Sequence, residues 1–477
     1  MLFTGISPNN AETDCFSINP IATGLKDYYF DLSLAPPSFW KLVRADGGDI
    51  RVTFSDRQTL VPRELKGFSI ANQAGSLYVA NHPRSVLGAI LPLVSYGSAS
   101  EMGMRFTSSS PGQVVEIRLF RGSDLTSHDC HLWSGSGTLL ATVTMPATLN
   151  QGWQTVALPT PVNISAGSSY VVSYTSSSPF QVAHVVDSAY SNPPLTAPAG
   201  AGVFGPNGTF PTNNYLNSNY FIDVGFVTSA YYGMPFYVHY GNPFIPEPAS
   251  ALGGRAATWE PSLFCVAHLE DPTDSTQYGS LITSTSPPAF GPGKMLNGGI
   301  FNGTSNFLNL GSTYLPLGQS PRSFTFWLKK HGIDFVAPLM YGATYYPNGM
   351  NLVYVNNTAL RFATYGTDVQ MGTVTLDAWQ HWIITFDGTS TLAAYLNGGP
   401  VYSSPITAPA TVEFGGGTNY IGRYNGGADW FMNGMMDEVR IYDRLLSGTE
   451  AAGIFANQNS PLGFWIVGPV QPSGLIV

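Results

Sequence analysis

Apolar and polar residues alternate with a period of two along most of the chain, a pattern that predicts strands rather than helices. The clearest run is DAWQHWIITFDGTSTLAAYLNGG at residues 377–399. Its apolar strand ends at Asp387-Gly388, and the next strand ends at Asn397-Gly398. Asp-Gly and Asn-Gly tolerate positive φ and therefore favour tight turns at strand ends. This stretch predicts two neighbouring strands, each closed by a turn.

The segment 419–450 continues the strand pattern and then predicts one helix. In Asp437–Tyr442, Val439 and Ile441 alternate with polar neighbours, as a half-buried strand requires. Ser447 is followed three residues later by Glu450, which is the spacing of a capping box at a helix N-terminus.

Several motifs in this region occur together and in a fixed order: W-x-H-W-x-x-x-[FY]-D-G, Y-x-N-G, I-G-R and D-E-V-R-I-Y. Over about residues 258–457 they resemble the concanavalin A-like lectin/glucanase superfamily, in its laminin-G-like branch. The resemblance implies a jelly roll of two antiparallel sheets. It does not imply one function, because this fold hosts lectins, glycosidases and adhesion modules.

Two further strand-patterned regions precede this one. GDIRVTFSD at residues 48–56 and PFYVHYGNP at 235–243 resemble a bacterial and phage β-sandwich family of unknown function. Between them, the motifs E-x-G-x-x-F, L-W-x-x-x-G-x-L-L-A and G-W-Q-x-V resemble a second β-sandwich family of unknown function. Because insertion at a loop tip adds little loop-closure entropy, we predict that the second sandwich is inserted into the first.

We therefore predict an all-β chain of three antiparallel β-sandwich or jelly-roll domains. The predicted segments are an N-terminal arm at 1–25, a discontinuous sandwich at 26–90 plus 229–250, an inserted sandwich at 91–228, the jelly roll at 251–458 and an apolar tail at 459–477. The tail carries no charge, and Pro469 and Pro472 exclude a helix there. At this point it remains open whether the tail packs on its own chain or on a neighbouring subunit.

Composition favours a protein of an extracellular or particle surface. Only 10% of the 477 residues are charged, the net charge is -9, and Gly and Pro number 52 and 36. The sequence lacks the Lys and Arg clusters of a nucleic-acid groove, an apolar run of about 18–20 residues that could span a membrane, and the pattern of a secretory signal at its start. Cys15, Cys130 and Cys265 are odd in number and far apart, which predicts buried thiols.

The residues that catalysis would need are not arranged for it. Glycosidases of this fold place acids on one strand in an E-x-D-x-x-E pattern, which this sequence lacks. Adjacent acids such as Asp437 and Glu438 should point to opposite faces of a strand, so we interpret them as turn and salt-bridge residues. His381 is interpreted as a structural histidine. The run from His128 to His131 alternates between two faces and predicts no metal site. We predict that the protein is not an enzyme.

Carbohydrate binding requires exposed aromatic rings beside amides and carboxylates. Two loops provide them, and the candidate residues are Tyr345, Tyr346 and Asn348 in the first loop and Tyr424, Asn425, Asp429 and Trp430 in the second. Laminin-G relatives often hold calcium at one sandwich edge through Asp, Asn and carbonyl oxygens. The resemblance therefore makes Asp429, Asn425 and Asp334 candidate calcium ligands.

These observations predict a non-enzymatic structural and adhesion protein on the surface of a virion, as a bacteriophage decoration, fibre or tail-associated protein. Its expected partners are other virion or surface subunits, with the chain forming a homo-oligomer, and cell-surface glycans bound through the lectin-like domain. The alternative is a secreted or cell-surface bacterial adhesin. A polysaccharide hydrolase is the second alternative.

Overall fold

The structure is a computed structural model of the chain. It describes residues 13–22, 24–88, 90–91, 94–96, 100–148, 150–176, 180–182, 189–228, 234–249, 254–279, 284–311, 314–316, 318–342, 350–364, 366–406, 419–425 and 429–474, with the backbone alone at 94–96, 180–182, 350, 425 and 429. About 52% is strand and 7% helix, in several antiparallel sheets, which confirms the all-β prediction. None of the helices within the described ranges has the length and apolar character that a membrane crossing requires.

The chain forms two compact units. Unit 1 contains residues 1–147, 153–260 and 460–477, and unit 2 contains residues 148–152 and 261–459.

Strands dominate the described residues from the first to the last. Up to residue 240 the elements are β1 (Asp14–Pro20), β2 (Asp27–Asp31), α1 (Phe39–Leu42), β3 (Arg51–Thr53), β4 (Leu60–Val61), β5 (Arg63–Ser69), β6 (Ala74–Ala80), β7 (Val94–Tyr96), β8 (Ser100–Ser108), β9 (Gly112–Arg121), β10 (His128–Ser134), β11 (Leu139–Met145), β12 (Gly152–Ile164), β13 (Ser169–Ser176), β14 (Phe180–Val182), β15 (Tyr190–Asn192), β16 (Leu195–Ala197), β17 (Gly202–Gly205), β18 (Ile222–Thr228) and β19 (Phe236–Tyr240).

The rest of the chain adds one longer helix. Its elements are α2 (Arg255–Thr258), β20 (Leu263–Ala267), β21 (Ala289–Pro292), β22 (Asn297–Asn302), β23 (Leu308–Asn309), β24 (Arg322–Lys330), β25 (Val336–Gly342), β26 (Met350–Asn356), β27 (Ala359–Thr364), β28 (Thr367–Thr373), β29 (Gln380–Phe386), β30 (Thr391–Leu396), β31 (Gly399–Pro405), β32 (Tyr420–Ile421), β33 (Arg423–Asn425), β34 (Asp429–Phe431), β35 (Asn433–Tyr442), α3 (Gly448–Asn459), α4 (Pro461–Phe464) and β36 (Trp465–Pro472).

The first sandwich of unit 1 contains a five-stranded sheet, β36-β1-β19-β3-β4, and a three-stranded sheet, β2-β6-β5. Aromatic rings from both sheets meet in its core. The ring of Phe30 on β2 lies 6.1 Å from that of Phe16 on β1 and 5.5 Å from that of Trp465 on β36. All three side chains are at most 5% exposed. The core of this sandwich therefore combines residues that lie more than 400 positions apart in the sequence.

Two strands that are far apart in the sequence, β1 and β36, pair within the five-stranded sheet. β1 pairs antiparallel with β19 and with β36, so that Phe16 lies opposite both Val238 and Val470. The indole nitrogen of Trp465 donates a hydrogen bond to the carbonyl of Tyr29 at 2.8 Å. Residues 14–20 thus differ from the surface arm expected at 1–25, because their apolar alternation is buried in a sheet. The prediction that the tail contains no helix is wrong for residues 461–464, which form α4 upstream of both prolines. Residues 465–472 pack on their own chain, which resolves the alternative that the sequence left open.

The second sandwich of unit 1 lies between β6 and β19 in the sequence. Its larger sheet has the order β11-β10-β13-β8-β16-β15, with β17 also paired to β8, and its smaller sheet is β12-β9-β18. Asp223 on β18 is fully buried and accepts hydrogen bonds from the backbone nitrogens of Val86 and Leu87 at 2.9 and 2.7 Å. This carboxylate fixes the segment through which the chain enters the second sandwich.

Unit 2 is the jelly roll. An eight-stranded sheet, β21-β22-β35-β24-β29-β30-β31 with β20 paired to β35, and a six-stranded sheet, β23-β32-β25-β26-β27-β28, enclose one apolar core. The predicted turns after β29 and β30 are present, with Gly388 and Asn397 at φ 83° and 49°. The capping box also forms, because Ser447 Oγ accepts from the Glu450 nitrogen and a Glu450 carboxylate oxygen accepts from the Ser447 nitrogen.

The cysteines are buried and unbridged, as the sequence predicted. Burial raises the pKa of the Cys130 thiol to about 12, which keeps it protonated and unreactive at neutral pH.

The closing strand gives a stability prediction for unit 1. We expect Trp465→Ala to lower the free energy of unfolding by about 3 kcal/mol or more, because it empties a core site and removes a hydrogen bond to Tyr29. Ile466→Ala is the matched control, since Ile466 lies on the opposite side of β36 and is 59% exposed. Thermal unfolding by calorimetry would measure both. Equal melting curves for the two variants would contradict the packing of this strand.

Candidate functional site

The six-stranded sheet of unit 2 has a second apolar face, on the side away from the core. On β26, Val353 and Val355 point into the core, whereas Leu352 and Tyr354 point outward because side chains alternate along a strand. The outward cluster contains Ala337, Met340, Leu352, Tyr354 and Ala363. An apolar sheet face that lies outside the core needs other residues to shield it from water.

The hairpin formed by β33 and β34 covers part of this outer face. Tyr424 lies opposite Trp430 in the hairpin, and both half-buried rings pack against the outward cluster. The base of the hairpin is held by Gly422, whose nitrogen donates to the Pro338 carbonyl and whose carbonyl accepts from the Met432 nitrogen, each at 2.9 Å. Gly422 has φ 85°, and a Cβ there would collide with the ring of Phe301.

Four rings form one continuous surface, which we call the aromatic surface: Phe335, Tyr354, Tyr424 and Trp430. The Trp430 ring lies 4.7 Å from Tyr424, 5.1 Å from Phe335 and 5.4 Å from Tyr354. Tyr354 is buried, but Phe335 is 43% exposed and Trp430 is partly exposed. The hairpin therefore leaves aromatic area in contact with solvent.

One polar cluster borders the aromatic surface. The Tyr354 hydroxyl donates to one carboxylate oxygen of Asp368 at 2.9 Å, and the Arg361 Nε donates to the other at 2.9 Å. Burial raises the pKa of the Tyr354 hydroxyl, so it stays a protonated donor. Both oxygens of Asp368 are thereby engaged.

The other face of the hairpin is held by an arginine among rings. The Arg423 guanidinium lies 4.7 Å from the centre of the Phe307 ring and 5.2 Å from those of Tyr420 and Phe431. Cation–π contacts of this kind fix the position of the guanidinium and engage its positive charge. They hold Trp430, on the opposite face, in place over the sheet.

The structure brings together only some of the predicted sugar-binding residues. Tyr424 and Trp430 lie side by side, and Asn425 and Asp429 form the outermost rung of the hairpin, although their side chains lie outside the described residues. The first predicted loop, with Tyr345, Tyr346 and Asn348, falls wholly within 343–349, outside the described residues.

Sequence reasoning missed Phe335 and Tyr354. The signal for Tyr354 was its position between two core valines in VYV, which sets it on the outer face. Phe335 gave a weaker signal, as an aromatic residue after the Gly-Ile-Asp turn at 332–334.

The predicted calcium site lies mostly outside the described side chains. Of the three candidate calcium ligands, only the Asp334 side chain is described, and it is exposed. No group of three or more His, Cys, Asp or Glu within those ranges is arranged to hold a metal ion. In the run at 128–131, His131 bonds to the Glu101 carboxylate at 2.7 Å, and Asp129 accepts a hydrogen bond from the Thr144 hydroxyl at 2.8 Å.

Asp437 and Glu438 belong to a sealed network rather than to a cleft. Asp437 accepts from the backbone nitrogens of Lys294 and Met295 at 2.9 and 2.8 Å. Glu438 binds Arg440 at 2.8 Å, so the predicted salt bridge is present, and it also contacts His268. Both carboxylates are at most 1% exposed.

The interpretation of these acids as turn residues is wrong, however. Glu438 lies within β35 at a β-bulge, where the register with β24 shifts and its own φ is 51°. A bulge interrupts the alternation of side chains, so neighbouring acids need not point to opposite faces. Burial raises the pKa of the Asp437 carboxyl, and the negative charge of Glu438 raises it further.

His381 lies on the outer face of the eight-stranded sheet, beneath α3. Its ring centre is 5.0 Å from that of Trp327 and 6.2 Å from that of Phe455, and neither ring nitrogen has a hydrogen-bond partner among the described residues. Burial first, and then the Arg440 charge, lower the pKa of His381 to about 3. A neutral, enclosed imidazole agrees with a structural role.

Two family models match the chain. Residues 302–452 match the concanavalin A-like lectin/glucanases superfamily in its laminin-G form, and residues 91–222 match a domain of unknown function, DUF4082. Unit 2 therefore contains a concanavalin A-like, laminin-G-like domain, and the second sandwich of unit 1 contains a DUF4082 domain. A search of curated proteins found no match.

Several solved structures are similar to about two fifths of the chain, at low sequence identity and low TM-score. Domain 4 of AbnA, a GH43 extracellular arabinanase from Geobacillus stearothermophilus solved with arabinotriose, has 18% identity and a TM-score of 0.34, covering 40% of this chain and 97% of that one. The binding domain of Paraclostridial Mosquitocidal Protein 1 has 14% identity and a TM-score of 0.32. The binding domain of Botulinum neurotoxin DC in complex with rat synaptotagmin II has 10% and 0.33. Each toxin domain match covers 41% of this chain and 52% of the other.

The enclosed histidine gives a pH prediction. Because the pKa of His381 is about 3 when folded, against an ordinary value of 6.5, the unfolded chain binds more protons below pH 6.5. Stability should therefore fall as the pH falls from 6.5 toward 3, by up to about 1.4 kcal/mol per pH unit from this group. His381→Phe removes that contribution and breaks no hydrogen bond.

We expect the free energy of unfolding of His381→Phe at pH 7 to equal or exceed that of the wild type, and to decline less toward pH 4. Urea unfolding across this range would measure both. A parallel decline for variant and wild type would contradict the low pKa of His381.

Proposed function

We propose that the chain is a non-enzymatic carbohydrate-binding protein that attaches a surface or particle to glycans through the aromatic surface of its jelly roll. The observation that carries this proposal is the set of four adjoining rings on the outer face of the six-stranded sheet, with Phe335 and Trp430 open to solvent. The apolar faces of sugar rings stack on such side chains, and nearby polar groups bind hydroxyls.

Exposure of these side chains is unfavourable unless they serve a contact. Ile333 and Phe335 lie two residues apart in the β24–β25 connection and are 64% and 43% exposed. Exposed apolar side chains beside other exposed rings are typical of a binding surface. The hairpin and the cation–π contacts of Arg423 hold Trp430 in a fixed position, which reduces the conformational entropy lost on binding.

The enclosed acids support a role without catalysis. Hydrolysis of a glycosidic bond requires two carboxyl groups that reach the substrate from opposite sides. The Asp437–Glu438 pair is almost fully buried and engaged by backbone nitrogens, His268 and Arg440. A polysaccharide lying on the aromatic surface would meet Asp368, whose two oxygens are already occupied by Tyr354 and Arg361.

The placement on a virion, with a cell surface as the alternative, depends on composition. Low charge and high Gly and Pro content favour a protein of an extracellular or particle surface. Association with other subunits, as a homo-oligomer, is part of the same proposal. It draws no support from the C-terminal residues, because residues 465–472 are already paired within unit 1.

Substitution of the exposed rings tests the glycan-binding proposal. We expect Phe335→Ala and Trp430→Ala each to weaken binding of a polysaccharide about tenfold, since an aromatic contact contributes roughly 1.4 kcal/mol or more to such an interface. Affinity electrophoresis of the full chain against a panel of neutral and charged polysaccharides would measure the change.

Phe244→Ala is the matched control, because Phe244 is 68% exposed but belongs to unit 1. It should bind as the wild type does. Failure of every polysaccharide to bind, or unchanged binding by both ring variants, would overturn the proposal. Appearance of reducing ends from a bound polymer would overturn its non-enzymatic part.

A further inference from the structure

The charges around the aromatic surface restrict the kind of glycan it can bind. Arg361 is the cation that borders the surface, and its Nε is bound to Asp368 at 2.9 Å. Asp368 is also bound by the Tyr354 hydroxyl, so this pair is built into the edge of the surface. The guanidinium is therefore neutralised before any ligand arrives.

A second cation, Arg423, points away from the surface. Arg423 lies in the same hairpin as Tyr424 and Trp430, but successive side chains of a strand alternate between faces. Its guanidinium lies among Phe307, Tyr420 and Phe431. Moving it toward a ligand would break all three cation–π contacts.

The remaining cations of the jelly roll are committed elsewhere. Arg322, Lys330 and Arg440 are buried. Lys294 lies over the Trp327 ring at 4.6 Å, and Arg444 binds Glu450 at 2.7 Å.

Lys329 alternates with core residues of β24 and so lies on the outer face of the eight-stranded sheet, on the far side of the sandwich. The stretches of residues 261–459 outside the described ranges contain no Lys or Arg in their sequence.

Carboxylates, in contrast, border the aromatic surface. Asp334 is exposed and directly precedes Phe335, and the Asp368 side chain is 49% exposed. An anionic ligand on the rings would lose its hydration without gaining a counter-charge, and Asp334 would repel it. An uncharged ligand has no charge to desolvate and is not repelled by Asp334.

We infer that the aromatic surface selects uncharged polysaccharides and rejects polymers carrying carboxylate, sulfate or phosphate groups. The inference rests on the proposed function, because it names the ligand class of the same surface. Stacking and hydrogen bonding supply the attraction, and the paired Arg361 and the acidic edge supply the discrimination.

The test compares one polymer in two forms. Neutral arabinan, xylan, glucan and mannan are screened with the full chain, and each polymer that binds is then carboxymethylated or sulfated on the same backbone. We expect the charged derivative to bind at least tenfold more weakly at low ionic strength. The difference should shrink in high salt, because exposed charges are screened beyond about 10 Å at 0.1 M salt.

Three outcomes separate the two proposals. Binding of a neutral polymer with rejection of its charged derivative supports the inference. Equal or tighter binding of the derivative overturns the inference but leaves carbohydrate binding intact. Binding of no polymer, neutral or charged, overturns the proposed function itself.

A single substitution tests the role of the Arg361 pair. Asp368→Asn keeps a hydrogen-bond acceptor for Tyr354 but removes the charge that neutralises Arg361. We expect the affinity for the charged derivative to rise at least threefold relative to that for the neutral polymer. Asp129→Asn, which removes an exposed carboxylate in unit 1, is the matched control and should leave this ratio unchanged. An equal ratio in both variants would contradict the proposed source of discrimination.

Discussion

The pairing of β1 with β36 is the constraint on which the arrangement of the chain depends. It joins residues 14–20 to residues 465–472, so one sheet of the first sandwich contains paired strands that lie more than 400 residues apart in the sequence. Loop-closure entropy grows only with the logarithm of loop length, at about 0.6 kcal/mol per doubling, so this closure is tolerable over hundreds of residues. The Trp465 ring, packed against Tyr28 and Phe30, contributes the apolar burial that offsets it. The DUF4082 sandwich and the jelly roll are, in sequence, two long insertions within this first sandwich.

Local patterns in the sequence were sufficient for the elements but not for the long-range pairings. The strand ending at Asp387 and the capping box from Ser447 to Glu450 are decided by neighbouring residues, so they could be predicted. The partner of the apolar tail is decided by β1, more than 400 residues away, and no local signal identifies it. Glu438 shows a second limit, because a bulge at one residue reverses the side-chain alternation on which the interpretation of its neighbours depends.

The candidate site, like the fold, could be predicted from the sequence only in part. Tyr424 and Trp430 flank a glycine-rich turn and could be recognised as an aromatic loop. Phe335 and Tyr354 join them only because the hairpin folds back over β25 and β26, which is a tertiary event. The significance of Arg361 depends on Asp368, and their pairing across β27 and β28 follows from register rather than from sequence spacing. Charge counts along the sequence cannot distinguish a neutralised arginine from one that is free to bind a ligand.

The two outer faces of the jelly roll differ in how completely they are covered. Over the eight-stranded sheet, α3 encloses His381 through Phe455 and binds the Trp327 indole through Gln458 at 2.8 Å. Asp437, Glu438, Arg440 and His268 are held in a network that is closed to solvent. Over the six-stranded sheet, a short hairpin covers the outward cluster incompletely and leaves Phe335 and Trp430 in contact with solvent. Asp437 and Glu438 are thus enclosed, whereas the aromatic surface offers rings and hydrogen-bonding groups, with Asp334, Arg361 and Asp368 at its border. For the glycan-binding proposal, that division favours recognition of a polysaccharide over its cleavage.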